Sequence, residues 1–187
     1  MAEEKKRRGR RDHLNDFYRD VSGNYVYTGV CYGHTGGVCA NTALLRRLRL
    51  MAAVMAAAVL AGGCISAPGV GRCFYVLLPY AAQIGVTGSV VWAVARWQVR
   101  EYPLREYIYR ATVQALPGRC LAQAVLAGMG LAAETLYLLL SGSDGRGAAA
   151  AMYLLLQACV LVLALLTRRA VLASDWQMEK HGGLTAE

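Results

Sequence analysis

The sequence predicts an all-α membrane protein with four transmembrane helices, both termini in the cytoplasm, and an amphipathic interfacial helix on the cytoplasmic side between spans 2 and 3. Three observations predict this class. The 187-residue chain is 56% hydrophobic, which is high for a soluble single domain. Its apolar residues gather in four long segments, and its basic residues lie almost entirely on one side of them.

The apolar segments have the length of membrane spans. They lie at about 48–65, 74–95, 121–140 and 148–167. Each is close to the roughly 20 residues that a helix needs to cross a hydrocarbon core of about 30 Å. Together they predict a transmembrane domain over residues 48–169.

The first segment also resembles a different signal. With the arginines before it, "RRLRLMAAVMAAAVLAGGC" is similar to a bacterial lipoprotein signal that ends at Cys64. Ala61 stands where such signals usually carry leucine, and 45 residues precede the first arginine of the motif. We therefore favour a membrane span.

The basic residues indicate the orientation. Ten lie at or before the beginning of the first span, five lie between spans 2 and 3, and three follow span 4. The two remaining connections carry one each, Arg72 and Arg146. Because Lys and Arg accumulate in cytoplasmic segments of membrane proteins, both termini are predicted to be cytoplasmic.

The two ends of the chain lie outside the predicted spans. Residues 1–47 are predicted to be a basic, partly disordered cytoplasmic region, and residues 170–187 a cytoplasmic tail. The run "MAEEKKRRGRRD" at 1–12 has almost no apolar content, which favours disorder. The stretch 17–45 favours a short extended segment with turns, such as one small hairpin. No nucleic-acid motif accompanies the basic run, so we expect the lipid bilayer as its partner and no specific nucleic acid.

The connection between spans 2 and 3 has an amphipathic pattern. Over about 103–116, the residues Leu104, Tyr107 and Ile108 fall on one helical stripe, and Pro117-Gly118 is expected to end the helix. The helix is either a linker that lies on the membrane or a docking helix for a cytoplasmic partner.

A single acidic residue, Glu134, lies inside the third segment, within "GLAAETLY". Polar and small residues recur around it every three or four positions, so they share a helix face that points away from lipid. Short polar stripes on the second and fourth spans fall at similar depths. The predicted polar cluster consists of Glu134, Tyr80, Gln83, Tyr137, Tyr153 and Gln157.

Two interpretations of Glu134 are open. As a neutral acid it could donate a hydrogen bond to Gln83, Gln157 or a tyrosine and hold the bundle together. Alternatively, its carboxyl group binds a proton, a cation or an amine inside a transport or ligand cavity.

The cysteines favour no catalytic or metal site. Cys64 and Cys73 bracket the first external hairpin, and two alternatives are open for them: a disulfide that closes the loop, or two free thiols at helix ends. "CYGHTGGVC" offers Cys31, His34 and Cys39, but the spacing is not that of a standard zinc finger. The chain has no C-x-x-C, phosphate loop or Ser–His–Asp pattern. We predict no metal, no cofactor and no enzymatic activity.

Two segments, "SGNYVYTG" and "APGVGRCFYVLLPY", resemble parts of small bacterial four-span membrane proteins to which no activity is assigned. The resemblance covers about half of the chain and implies a location in the bacterial plasma membrane. The leading hypothesis is a non-enzymatic subunit of a membrane complex. The alternative is a small homodimeric transporter or ligand-binding carrier that uses Glu134.

Overall fold

The computed structural model describes residues 17–19, 25–27, 30–99, 102–142 and 145–180. Most of this part of the chain is helical. The long helices are α1 (Gly37–Cys64), α2 (Phe74–Gln98), α4 (Leu116–Ser141) and α5 (Gly147–Leu172). The remaining elements are β1 (Phe17–Arg19), β2 (Tyr25–Tyr27), β3 (Val30–His34), β4 (Leu104–Arg105), the one-turn helix α3 (Glu106–Tyr109), a π-helical turn (Arg110–Gln114) and β5 (Trp176–Lys180).

The four long helices form a bundle. In the order α1, α2, α4, α5 each helix packs against the next, and α5 packs back on α1. The connections 65–73 and 142–146 join helices at one end of the bundle, called the loop end below. A small sheet lies at the opposite end, called the sheet end. Buried alanines such as Ala52, Ala127 and Ala164 line the contacts between helices, where small side chains permit close packing.

The outer surface of the bundle is apolar. Leu60 on α1 is 64% exposed, Leu139 on α4 is 79% exposed and Leu155 on α5 is 67% exposed. Large apolar side chains all round a bundle are costly in water but match the hydrocarbon of a bilayer.

Three helical stretches of the described residues are long and apolar enough to cross a membrane: Phe74–Gln98, Glu106–Ser141 and Gly147–Leu172. The prediction of a helical membrane protein is confirmed in this form. The predicted span 48–65 lies within α1, which begins earlier, at Gly37, because the Ala, Leu and Arg residues before it are good helix formers. Its crossing of the membrane stays a prediction.

The connection between α2 and α4 differs from the predicted interfacial helix. Leu104 pairs in a strand, and the chain then passes through α3 and the π-helical turn directly towards α4. Leu104 is 1% exposed and Ile108 is 3% exposed, while Tyr107 is half-buried. The stripe predicted to dock a partner therefore packs into the protein's own core. Pro117 lies in the first turn of α4 and does not end a helix, because its missing N–H is not needed there.

The sheet end joins three distant parts of the chain. β3 pairs antiparallel with β4 on one side and with β5 on the other. Trp176 of β5 fixes this arrangement, since its ring packs against Trp97 of α2 (5.5 Å between centroids), Tyr109 of α3 (5.4 Å) and His34 of β3 (5.4 Å). The tail predicted at 170–187 thus continues α5 to Leu172 and then forms β5.

The N-terminal region is described only in part. β1 and β2 pair antiparallel, with Phe17 opposite Tyr27 and Arg19 opposite Tyr25, so the expected small hairpin within 17–45 is present. The expected disorder of 1–12 falls outside the described residues.

Candidate functional site

The predicted polar cluster lies inside the bundle, in its half nearest the loop end. All six side chains are buried, from fully buried Gln83, Glu134 and Tyr153 to Tyr80, which is 7% exposed. Gln157 and Tyr137 lie between these limits. The inward direction inferred from residue spacing thus matches the structure.

An amide pair connects α2 and α5 at the centre of this cluster. Gln83 Nε2 donates to Gln157 Oε1 over 2.9 Å, and Gln157 Nε2 donates back to Gln83 Oε1 over 3.0 Å. Gln157 Nε2 also donates to the hydroxyl of Tyr153 over 2.9 Å. A Cβ atom on Gly130 of α4 would lie 3.4 Å from Gln157 Nε2, at the limit of ordinary contact, so α4 packs directly against the pair. Because buried amides are costly when unpaired, this mutual pairing favours a fixed, structural element.

Two glycines near the end of α1 lie against the tyrosines of the cluster, and one of them makes room for a hydroxyl. The hydroxyl of Tyr80 donates to the carbonyl of Val59 over 2.8 Å. A Cβ atom on Gly63 would lie 2.2 Å from that hydroxyl, whereas one on Gly62 would lie in ordinary contact, 3.8 Å from the rings of Tyr80 and Tyr153. Gly63 therefore gives the Tyr80 hydroxyl access to the α1 backbone.

Glu134 makes its hydrogen bond with a loop and not with the amide pair. Its Oε1 atom accepts from the backbone N–H of Gly69 over 3.3 Å, and both groups are buried. Oε2 is also buried and has no hydrogen-bond partner. Among the described residues, no cationic side chain forms a salt bridge with Glu134. One oxygen of the only carboxyl group in the α4 core is thus left unsatisfied.

The connection 65–73 folds inward over this carboxyl group. Ala67, Pro68 and Gly69 are buried, while Gly71 is exposed. The N–H of Cys73 donates to the carbonyl of Gly69 over 2.9 Å, so the turn is closed by its own backbone. The connection 65–73 acts as a cap on the loop end, and we call it the cap loop.

Of the two alternatives that the sequence leaves open for Cys64 and Cys73, a disulfide or two free thiols, the structure has the free thiols. Cys64 and Cys73, at the two ends of the cap loop, are free thiols, the first exposed and the second half-buried. Backbone hydrogen bonds and the contact with Glu134 hold the loop in place of a covalent bridge.

A second polar contact lies deeper in the bundle. Gln123 Nε2 of α4 donates to the hydroxyl oxygen of Thr87 on α2 over 2.8 Å, and Gln123 Oε1 is buried without a partner. Both residues belong to polar stripes in the sequence, but their pairing was not predicted. Gly69 was missed as well, although Pro68-Gly69 marks a turn, since a turn signal does not tell which way a loop folds.

The described residues contain no group of three or more His, Cys, Asp and Glu side chains that could hold a metal ion. Cys31 is buried, Cys39 is exposed, and His34 Nδ1 accepts a hydrogen bond from the N–H of Gly36 over 3.0 Å. The histidine thus caps the turn before α1.

The chain matches no protein-family model, no curated protein and no solved structure. The resemblance to bacterial four-span proteins therefore stays an expectation, and function has to be argued from the site.

Proposed function

We propose that the protein is a four-span membrane protein in which Glu134 binds a proton, a small cation or an amine beneath the cap loop. On this proposal the protein is a small, non-enzymatic carrier or ligand-binding membrane protein. The observation that carries the proposal is the buried, unpartnered Oε2 atom of Glu134.

The number of crossings is supported by the sheet. β3, β4 and β5 pair with one another, so they lie on the same side of the bilayer. Two long helices, α1 and α2, separate β3 from β4. If α2 crosses the membrane, α1 has to cross as well, because a single crossing would place β3 and β4 on opposite sides.

The orientation rests on charge. The sheet end carries Arg46, Arg47, Arg96, Arg168 and Arg169, whereas the loop end carries Arg72 and Arg146. By the positive-inside rule the sheet end is cytoplasmic. Both termini are then inside, and the resemblance to bacterial four-span proteins favours a bacterial plasma membrane.

Binding of a proton or a cation at Glu134 would relieve the free-energy cost of burying its carboxyl group. An ionised carboxylate in a membrane interior is expensive without a cation, and a buried polar atom without a hydrogen bond costs about 1–3 kcal/mol. A proton or a cation that reaches Oε2 relieves this cost. Oε2 lies directly beneath Gly69, so the route to it is from the loop end and requires the cap loop to move.

The test uses Glu134→Gln, which keeps an oxygen that can accept from Gly69 but removes the charge. The control is Thr135→Val, since Thr135 is exposed beside it. Thermal unfolding in mild detergent is followed with Na⁺, K⁺ or methylammonium at constant ionic strength, and as a function of pH. One cation should stabilise the wild type and the control, by about 2.7 kcal/mol at 100 times its dissociation constant, but not Glu134→Gln.

If the proton is the ligand, the stability difference between wild type and Glu134→Gln should change with pH, because only the wild type exchanges a proton at this position. A difference that is independent of pH, together with no cation that distinguishes the two proteins, would refute the proposal.

A second candidate function is that of a subunit in a membrane complex. Its supporting observation is β5, which is an edge strand of the sheet and pairs only with β3 among the described residues. Such an edge can accept a strand from another protein. Native mass spectrometry of the same purified sample distinguishes the two candidate functions. A second protein bound at fixed stoichiometry supports the role as a subunit, and a homodimer or monomer contradicts it.

A further inference from the structure

A groove on the outside of the bundle lies at the sheet end, away from Glu134. Its volume is about 1360 Å³, and its walls come from the first half of α1 and from the end of α2 with the residues that follow it. Three arginines of α1 line it: Arg46, Arg47 and Arg49. Within the part of the chain that the structure describes, their guanidinium groups have no ion pair or hydrogen bond.

The depth of these arginines matches the membrane surface. A helix crosses the hydrocarbon core in about 20 residues. Counted back from the end of α1 at Cys64, this places the inner boundary close to residue 45. On the topology proposed above, Arg46, Arg47 and Arg49 therefore lie within about 6 Å of this boundary, close enough for their long side chains to reach the lipid headgroups.

The groove is apolar on its membrane side. Leu50, which is 67% exposed, and Ala53 follow Arg46 and Arg49 along the same face of α1. A basic rim that continues into an exposed apolar strip matches a molecule with an anionic head and a hydrocarbon chain.

The opposite wall is fixed and polar. The hydroxyl of Tyr102 accepts from the N–H of His34 over 2.8 Å and donates to its carbonyl over 3.2 Å, which ties this wall to β3. Asn41, which is 7% exposed, also lines the groove, and its buried Oδ1 atom has no hydrogen-bond partner. The groove is thus lined by polar side chains as well as by its arginines.

We propose that this groove binds an anionic phospholipid, with the phosphate held by Arg46 and Arg49 and the acyl chains along Leu50 and Ala53. Guanidinium groups match phosphate oxygens in bidentate geometry. The chain's own N-terminal 16 residues are a poorer occupant, since they carry six basic residues against four acidic ones.

The experiment measures lipid binding to delipidated protein in mild detergent by native mass spectrometry. Phosphatidylglycerol is compared with phosphatidylcholine of the same acyl chains, and inorganic phosphate is the competitor. The variants are Arg46→Gln and the pair Arg46→Gln/Arg49→Gln. The control is Arg169→Gln, an exposed arginine at the same end but outside the groove.

We expect phosphatidylglycerol to bind more tightly than phosphatidylcholine. Each groove arginine removed should weaken its binding about fivefold, which is about 1 kcal/mol, and the pair about 30-fold. Arg169→Gln should leave binding unchanged. Because the three arginines are exposed, the thermal midpoints without lipid should equal that of the wild type.

Three results would overturn the proposal. Equal affinity for both lipids would show that the groove does not recognise the headgroup charge. An equal loss of phosphatidylglycerol affinity in Arg46→Gln and Arg169→Gln would indicate a diffuse basic surface. Displacement of phosphatidylglycerol by an equal concentration of inorganic phosphate would assign the groove to a free phosphate.

Discussion

Replacing Gly69 with alanine tests whether Glu134 holds the cap loop. A Cβ atom on Gly69 would lie 2.2 Å from Glu134 Oε2 and 3.0 Å from its Cδ, closer than real contacts allow. The backbone itself accepts alanine, since Gly69 is not among the glycines with positive φ. Either the loop or the Glu134 carboxyl group therefore has to shift in Gly69→Ala, and either shift breaks the hydrogen bond that joins them. Gly71→Ala is the matched control, because nothing lies within 4 Å of a Cβ atom there.

The expected magnitude follows from two contributions. Loss of the hydrogen bond from Gly69 to Glu134 costs about 1 kcal/mol, and forcing an extra methyl group into a packed site costs about 1–3 kcal/mol. Gly69→Ala should thus favour the open loop by about 2–4 kcal/mol, or about 30-fold to 1000-fold in the opening equilibrium. Gly71→Ala should stay within about 0.5 kcal/mol.

Hydrogen exchange of the backbone amides in 65–73 measures this opening. The labelling rate of the half-buried Cys73 thiol provides a second, independent readout. Both should rise in Gly69→Ala and not in Gly71→Ala. In a Glu134→Ala background the clash with the carboxyl group is removed and only the approach to Val76 Cγ2 at 3.2 Å remains, so Gly69→Ala should have a much smaller effect. Equal rates for the two glycine variants, or an undiminished effect in that background, would refute the reasoning.

The remaining predictions concern the rest of the polar cluster. Gly63→Ala should lower the thermal midpoint, because its methyl group displaces the Tyr80 hydroxyl. Gly62→Ala should not lower it, because its methyl group makes ordinary contacts. Equal midpoints for the two variants would contradict this explanation. Gln157→Leu should destabilise by about 1–3 kcal/mol because it leaves Gln83 unpaired in the core. The double variant with Gln83→Leu should cost less than the two single changes together, and strict additivity in thermal unfolding would show that the amides do not act as a pair.

Length and spacing made the bundle interior predictable. An apolar segment of about 20 residues has few alternatives to a membrane helix, and helical periodicity placed Glu134, Gln83 and Gln157 on inward faces. The contact of Glu134 with Gly69 was not predictable in this way. It depends on which way the loop folds, and the group that contacts Glu134 is a backbone N–H, which nearly every residue type carries, so the sequence does not single it out.

The amphipathic pattern between α2 and α4 did not predict the structure of this connection, for a related reason. The stripe of Leu104 and Ile108 shows that one face is apolar, but not whether a bilayer, a partner or the protein's own core covers it. The pairing of β3 with β5 was missed because all four long helices lie between the two strands in the sequence, so no local pattern indicates it.

The sheet also sets an order for biosynthesis. β3 is synthesised before any of the long helices, and β5 only after the last of them. While the ribosome makes the bundle, β3 has no partner on its β5 side, and such open edges are exposed to wrong pairing. The final strand closes this edge, and with it Trp176 reaches the rings of three other elements. A strand that is made after the four long helices therefore completes the packing around a strand that is made before them.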